Sequence, residues 1–287
     1  MKIALVAQHA MTPSNDDTPQ AGDGRLLELS RSLASKGHRV TVYAQRHDKT
    51  LPERAEVEPG VVVEYLGQCD PRQDLLAQVP AFSRPLHERW RRSRPDVVHA
   101  LRWTSGLAAL AAARGLRLPV VQSFDPLGVT ERRHHLMARE ASAERIRLEP
   151  AIGRSADAVV AGCSDEESDL TRLGVPRRSI RVVPCGVDTG EFTPEGPVAE
   201  RTGRTLLMTV ADLSEHDALA TLLRAVSKVP VADLVVIGGP PRARLGDDLN
   251  YRRLARLADG LGIRARVTFT GQVGPSALPP LLRSADL

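Results

Sequence analysis

The chain has 287 residues, of which 42% are hydrophobic, and carries a formal net charge of +4. That length buries a substantial core and favours two domains, while so small a positive excess permits anionic partners without arguing for nucleic acid. The apolar run Ile3–Ala7 falls far short of the ~20 residues that span a bilayer and lacks a signal-peptide layout, so the sequence predicts a cytoplasmic protein with no integral membrane segment.

Short apolar runs alternate with longer helical patterns, the signature of parallel sheets covered by helices. The first block predicts strands at Ile3–Ala7, Arg39–Tyr43, Val61–Tyr65, Asp96–His99, Pro119–Gln122, Ala158–Ala161 and Ile180–Val183. Helices are expected at Arg25–Lys36, Leu75–Arg92, Ser105–Arg114, Glu140–Arg154 and Asp165–Leu173. Gly37 stands where a C-cap glycine belongs, and Ser164 with Glu167 fits a capping box. The basic run Arg89, Arg91, Arg92 and Arg94 around Trp90 reads as a helix end before Pro95, where cations complement the dipole.

The stretch Gly174–Pro194 joins a short strand to a Gly/Pro-rich joint, and a second α/β block then begins. It predicts strand Leu206–Val210, helix Ala218–Lys228, strand Asp233–Ile237, helix Tyr251–Leu261, strand Arg266–Thr270 and helix Pro275–Ser284. Ala285, Asp286 and Leu287 resemble the entry to a further strand. The boundaries expected are an N-terminal domain at residues 1–185, a hinge at 186–204 and an incomplete second domain at 205–287. Its open edge calls for a missing segment or for a protein partner that covers it.

Ala7, Gln8, His9 and Ala10 follow the first strand where a dinucleotide fingerprint would need GxGxxG, so a nicotinamide or flavin enzyme is not expected. Gly22 and Gly24 precede the helix near Arg25; such glycines either hold a phosphate on helix N–H groups or merely punctuate a loop. No GxSxG elbow, Walker A loop, HExxH helix or close metal-ligand cluster is present, and neither metal nor cofactor is predicted. Cys69, Cys163 and Cys185 lack CxxC spacing and read as reduced, mostly structural thiols. His134 and His135 follow Arg132 and Arg133 in a stretch read as a solvated loop.

The glycine loop before GRLLELSRSLASKGHRVTVYAQR, then RPDVVHA, SGLAALAAARGLRLPVVQSF, ADAVVAGCSDEESDL and the joint GVPRRSIRVVPCGVDTGEFTP resemble family 4 retaining glycosyltransferases across nearly the whole chain. The likeness is greatest to the bacterial group of sucrose-phosphate-synthase-like and mycothiol-type enzymes. It implies a GT-B-like α/β fold: two Rossmann-like, doubly wound parallel-sheet domains, the second incomplete here. It also implies transfer of a hexosyl group, with retention, from a nucleotide-diphosphate sugar to an acceptor that the sequence does not identify. Gly22 and Gly24 would then support the diphosphate, His99 would lie on the acceptor side, and Gly238 and Gly239 would line the nucleotide side.

Several positions depart from the family pattern. Asp23 stands where a second glycine is common, and Phe124 is followed by Asp125 rather than by histidine. His99 is kept, but Leu101 replaces a second histidine. The segment Ala211-Asp212-Leu213-Ser214-Glu215-His216-Asp217-Ala218 replaces G-R-L-x-x-x-K-G, so Asp212 and Asp217 occupy the two cation positions. Two unit charges ~5 Å apart at an effective dielectric of ~20 interact by roughly 3 kcal/mol, so each reversal opposes donor binding. The Glu-x7-Glu segment would lie beyond Leu287. These departures predict impaired activity, with no residue assigned a catalytic role; the alternative is a non-catalytic GT-B-like binding or regulatory protein.

Overall fold

The computed structural model describes residues 1–8, 23–46, 51–69, 72–124, 126–133, 143–200, 203–213 and 217–287. The chain divides into two compact units whose main break falls between Gly186 and Val187.

In the first unit, β1 (Lys2–Val6), α1 (Asp23–Ser35), β2 (Arg39–Arg46), β3 (Arg54–Glu58), β4 (Val61–Gln68), α2 (Leu75–Arg92) and β5 (Val97–Leu101) lead to α3 (Trp103–Ala113). They are followed by β6 (Val120–Ser123), α4 (Gly128–Arg133), α5 (Ala143–Ser155), β7 (Ala158–Ala161), α6 (Ser164–Arg172) and β8 (Ile180–Val182). The strands form one sheet in the order β3-β4-β2-β1-β5-β6-β7-β8.

Strand periodicity divides the core. Ala4 and Val6 of β1 face a cluster with Phe82, Leu86 and Trp90 of α2 and Ala108 and Ala112 of α3. Ile3 and Leu5 face the opposite layer, with Leu26, Val40 and Val42. Burial on both faces is why these strands read as nearly unbroken apolar runs. Trp90 meets Tyr43 edge-on with ring centroids 6.0 Å apart, so the basic run flanks a core aromatic. The chain crosses from one side of β1 to the other, with β2 on one flank and β5 on the other. Such a switch point, outside the strands' carboxyl ends, is where ligands settle in open α/β sheets.

Three sequence expectations need correction. The sheet is not wholly parallel, because β3 pairs antiparallel with β4 at one edge; its residues RAEVE are too charged to resemble a buried strand. Helix α4 was not expected, being a six-residue segment without an apolar stripe. Ser164 does not cap α6: the cap is Cys163, without a side-chain bond, while Glu166 accepts the Gly162 amide at 2.7 Å and Glu167 pairs with Arg177 at 3.1 Å. Gly37 does end α1 with φ +81°, its N–H bonded to the Ala34 carbonyl at 2.8 Å. His134, His135 and the expected helix start at Glu140 lie outside the described residues.

The second unit contains β9 (Thr205–Val210), α7 (Asp217–Ser227), β10 (Ala232–Ile237), α8 (Leu249–Gly260), β11 (Val267–Gly271) and α9 (Leu278–Ser284). Its parallel strands run β11-β10-β9. The expected strand entry at the chain's end pairs with β9: Met208 N–H donates to Leu287 O at 2.9 Å and Asp286 N–H to Leu206 O at 2.8 Å. Leu223, Leu234, Val236, Leu254 and Phe269 centre the core of this unit.

Candidate functional site

At the carboxyl edge of the first sheet, His99 lies on β5 opposite Leu5 of β1 and Val121 of β6. Its Nε2 is 2.9 Å from Ser123 Oγ at the end of β6. Burial lowers the imidazole pKa from 6.5 to about 4, so the half-buried ring is neutral at physiological pH. It is a hydrogen-bonding group there and not a charge.

The chain leaves β5 through Arg102, which caps α3 with φ 71° and ψ 161°. An L-residue in this region is strained by ~1–3 kcal/mol, because the conformation is essentially reserved for glycine. The surroundings fix it. Arg102 N–H donates to Ser123 O at 2.8 Å, and Arg102 O accepts from Gly106 N–H and from Gln122 Nε2, both at 3.1 Å. Gln122 is fully buried and also donates to Ser123 O at 2.6 Å. A Cβ at Gly106 would stand 2.1 Å from Gln122 Oε1, so only glycine admits the amide beneath α3. The Arg102 side chain is exposed and makes no hydrogen bond or ion pair among the described residues.

Two further networks hold the same edge. Gln8 N–H donates to Ser105 Oγ at 2.9 Å, Gln8 Nε2 donates to Gln45 Oε1 at 3.0 Å, and Gln45 Nε2 donates to Gln68 O at 2.9 Å. These bonds fix the exit of β1 to α3 and to the ends of β2 and β4. Beyond β6, Arg145 donates from Nε to Glu149 at 2.7 Å, from Nη1 to Glu131 at 2.7 Å and from Nη2 to Pro126 O at 2.5 Å. Glu149 also accepts the Gly128 amide at 2.9 Å, which binds α4 to α5. Burial raises the Glu149 pKa against the opposing pull of Arg145, since one guanidinium serves two buried carboxylates.

The glycine-loop expectation is placed only in part. Gly22 lies outside the described residues, and Gly24 is the second residue of α1. The next residue, Arg25, directs its guanidinium to the Cys185 thiol.

In the second unit, Gly238 (φ +130°) and Gly239 (φ +88°) follow β10. A Cβ on Gly238 would lie 2.2 Å from Ala211 O, and one on Gly239 2.5 Å from Leu213 Cδ1. Both glycines thus pack closely against the exit of β9. Asp212 is exposed on that exit while Leu213 is buried; Ser214–His216 lie outside the described residues, and Asp217 begins α7. His99 and the Gly238–Gly239 pair belong to different units. Arg102 and the Arg145 triad were not anticipated: no residue pattern announces a positive φ, and the i,i+4 pair Arg145–Glu149 reads in sequence as an ordinary surface pair of a helix, with nothing to announce its burial against Glu131.

The two α/β units have the GT-B-like architecture of the solved glycosyltransferases that they resemble. A sucrose-phosphate synthase from Thermosynechococcus elongatus superposes with a TM-score of 0.77 at 22% identity, covering 99% of this chain and 74% of that one. Anabaena HepE, solved with UDP and glucose, gives 0.66 at 15% identity over all of this chain and 73% of its own. The chain belongs to glycosyltransferase family 4, whose family model matches residues 25–191. The D-inositol 3-phosphate glycosyltransferase of Xylanimonas cellulosilytica is 30% identical over 321 aligned positions, which take in all of this chain and 73% of that protein. The Mycolicibacterium smegmatis enzyme of the same name is 28% identical, with 69% of its length covered.

Proposed function

We propose that this chain serves retaining transfer of a hexosyl group from a nucleoside-diphosphate sugar to a phosphorylated polyol. The observation that carries the acceptor half is Arg102, an exposed guanidinium held in a glycine-type conformation beside the His99–Ser123 pair. Strain of this kind persists where the surrounding structure over-determines it, and it collects at functional sites. A fixed cation next to neutral hydrogen-bonding groups suits a ligand with one phosphate and several hydroxyls. The D-inositol 3-phosphate named for the relatives has that chemistry.

The donor half rests on the family and on HepE, a structural neighbour solved with UDP and with UDP-glucose. In this reading Gly22 and Gly24 serve the donor phosphates and His99 bonds an acceptor hydroxyl. Gly238 and Gly239 shape the second unit's nucleotide-side edge. Asp212 opposes a diphosphate at that edge, so in this reading the donor's charge is met by other groups of the chain.

The test is to incubate the purified chain with UDP-, GDP- and ADP-sugars and either D-inositol 3-phosphate or free inositol, with product read by mass spectrometry. A glycosylated phosphate ester, with far less product from free inositol and from Arg102→Ala, is expected. Equal use of both acceptors would end the phosphate reading.

A further inference from the structure

Resting on that donor reading, we propose that Arg242 and Arg244, on the loop that leaves β10, are the cations that meet the donor diphosphate in this chain. A departing nucleoside diphosphate gathers negative charge and needs fixed positive groups where that charge develops. The β9–α7 connection brings Asp212 instead, so the cations must come from elsewhere on the carboxyl edge of the sheet.

Half of the ten described arginines in residues 187–287 are engaged internally. Arg204 pairs with Asp233 at 2.9 Å, Arg252 donates to Asp247 O, Arg264 to Val267 O and Arg266 to Ala232 O. Arg283 is bound to the segment at 191–197. Among the described residues of this unit, Arg224, Arg242, Arg244, Arg253 and Arg256 have no side-chain hydrogen bond or ion pair. Arg224 lies in the last turn of α7, which runs back from the carboxyl edge to connect parallel strands. Arg253 and Arg256 lie within α8. Only Arg242 and Arg244, of these, stand on the connection that directly follows a strand's carboxyl end, and both are exposed.

Their backbone is held firmly. Gly271, at φ +74°, packs so closely that a Cβ there would be 2.9 Å from Arg242 N and 2.7 Å from Pro240 O. Gly238 N–H bonds to Gly271 O at 3.0 Å, and Gly238 itself abuts Ala211. Arg242 and the residue before Asp212 therefore flank one glycine pair. Leu245 anchors the loop in the core, and Asp248 caps α8 by accepting Tyr251 N–H at 2.7 Å. Two exposed guanidiniums on a fixed backbone thus supply positive charge from the loop that neighbours Asp212.

The test is calorimetric titration of the 287-residue chain with UDP, GDP, ADP and inorganic pyrophosphate, with folding checked by thermal melts. Arg242→Ser with Arg244→Ser should weaken diphosphate binding tenfold or more. Arg253→Ser with Arg256→Ser removes the same net charge and should change it less than twofold. Equal weakening by both pairs would overturn the inference, as would unchanged binding by the first pair; either result leaves the donor reading standing. A folded wild-type chain that binds neither a nucleoside diphosphate nor pyrophosphate would end both.

Discussion

Gln122 holds Arg102 from below: its buried carboxamide donates to the Arg102 carbonyl at 3.1 Å, while the Arg102 amide reaches across to Ser123 O at 2.8 Å. A residue on β6 thereby imposes an unfavourable backbone geometry on the residue that ends the β5–α3 turn. The bonds made around Arg102 offset its strain, and the guanidinium is presented at the edge where β1 and β5 part.

Glycine at this position should therefore be more stable than alanine. Arg102→Gly relieves the strain, whereas Arg102→Ala retains it; after the extra unfolded-state freedom of glycine the difference is about 1 kcal/mol. Urea denaturation of the two variants measures it directly. Both should lose transfer to the phosphorylated acceptor, so stability and activity part company at this residue. Alanine proving the more stable would mean the backbone relaxes out of the positive-φ region.

The Arg145 triad gives a pH signature. Arg145→Met leaves Glu131 and Glu149 buried without their cation, a change that costs about 3–5 kcal/mol near neutral pH. The folded pKa of Glu149 lies above its unfolded value, so its contribution to stability is whole below the ordinary carboxylate range. That contribution drains away as pH rises through the raised value. The variant should consequently recover part of its loss at pH 5 relative to pH 8 in chemical denaturation. A deficit independent of pH would mean the carboxylates find water in the variant.

Such features explain what the sequence could and could not announce. Strands such as Ile3–Ala7 and helices such as Leu75–Arg92 were legible because burial on both faces of a parallel sheet leaves apolar runs and stripes. β3 was not, since an edge strand carrying Arg54, Glu56 and Glu58 has no buried face to mark it. His99 drew notice through the motif around it. Arg102 was not: its side chain is ordinary and its backbone is unusual, and only the bonds from Gln122 and Ser123 make it so. Gly238 and Gly239 drew notice as possible ligand contacts; what the sequence did not announce is how closely they pack on Ala211 and Leu213.

Arg283 in α9 donates to the carbonyls of Thr193, Pro197 and Glu191 at 2.7, 3.1 and 3.2 Å. One guanidinium thus organises a segment rich in Pro and Gly, and Gly196 at φ +130° makes room, a Cβ there being 3.0 Å from Arg283 Cζ. Arg283→Lys keeps the charge but cannot span three carbonyls. Amide exchange at Phe192 and Ala199, which bond to Asp188 O and Pro280 O, should accelerate by about tenfold or more, while the α8 amides are unchanged. Uniform acceleration across the second unit would indicate global destabilisation and not a local clamp.

His99 provides a pH test of the carboxyl edge of the first sheet. Burial puts its folded pKa at about 4 against 6.5 for the free side chain, so the unfolded chain takes up a proton first as the medium is acidified. The stability this group contributes is present above pH 6.5 and is lost as pH falls from there to 4, with a ceiling of about 3 kcal/mol. His99→Gln keeps a hydrogen-bonding group beside Ser123 Oγ but cannot titrate. Between pH 7 and pH 4.5 the wild-type denaturation midpoint should fall further than that of the variant; equal falls would mean that the ring is solvated in the folded chain. In the proposed reading that neutrality leaves phosphate recognition to Arg102, because an uncharged imidazole can orient a hydroxyl but adds no positive charge to the edge it shares with that guanidinium.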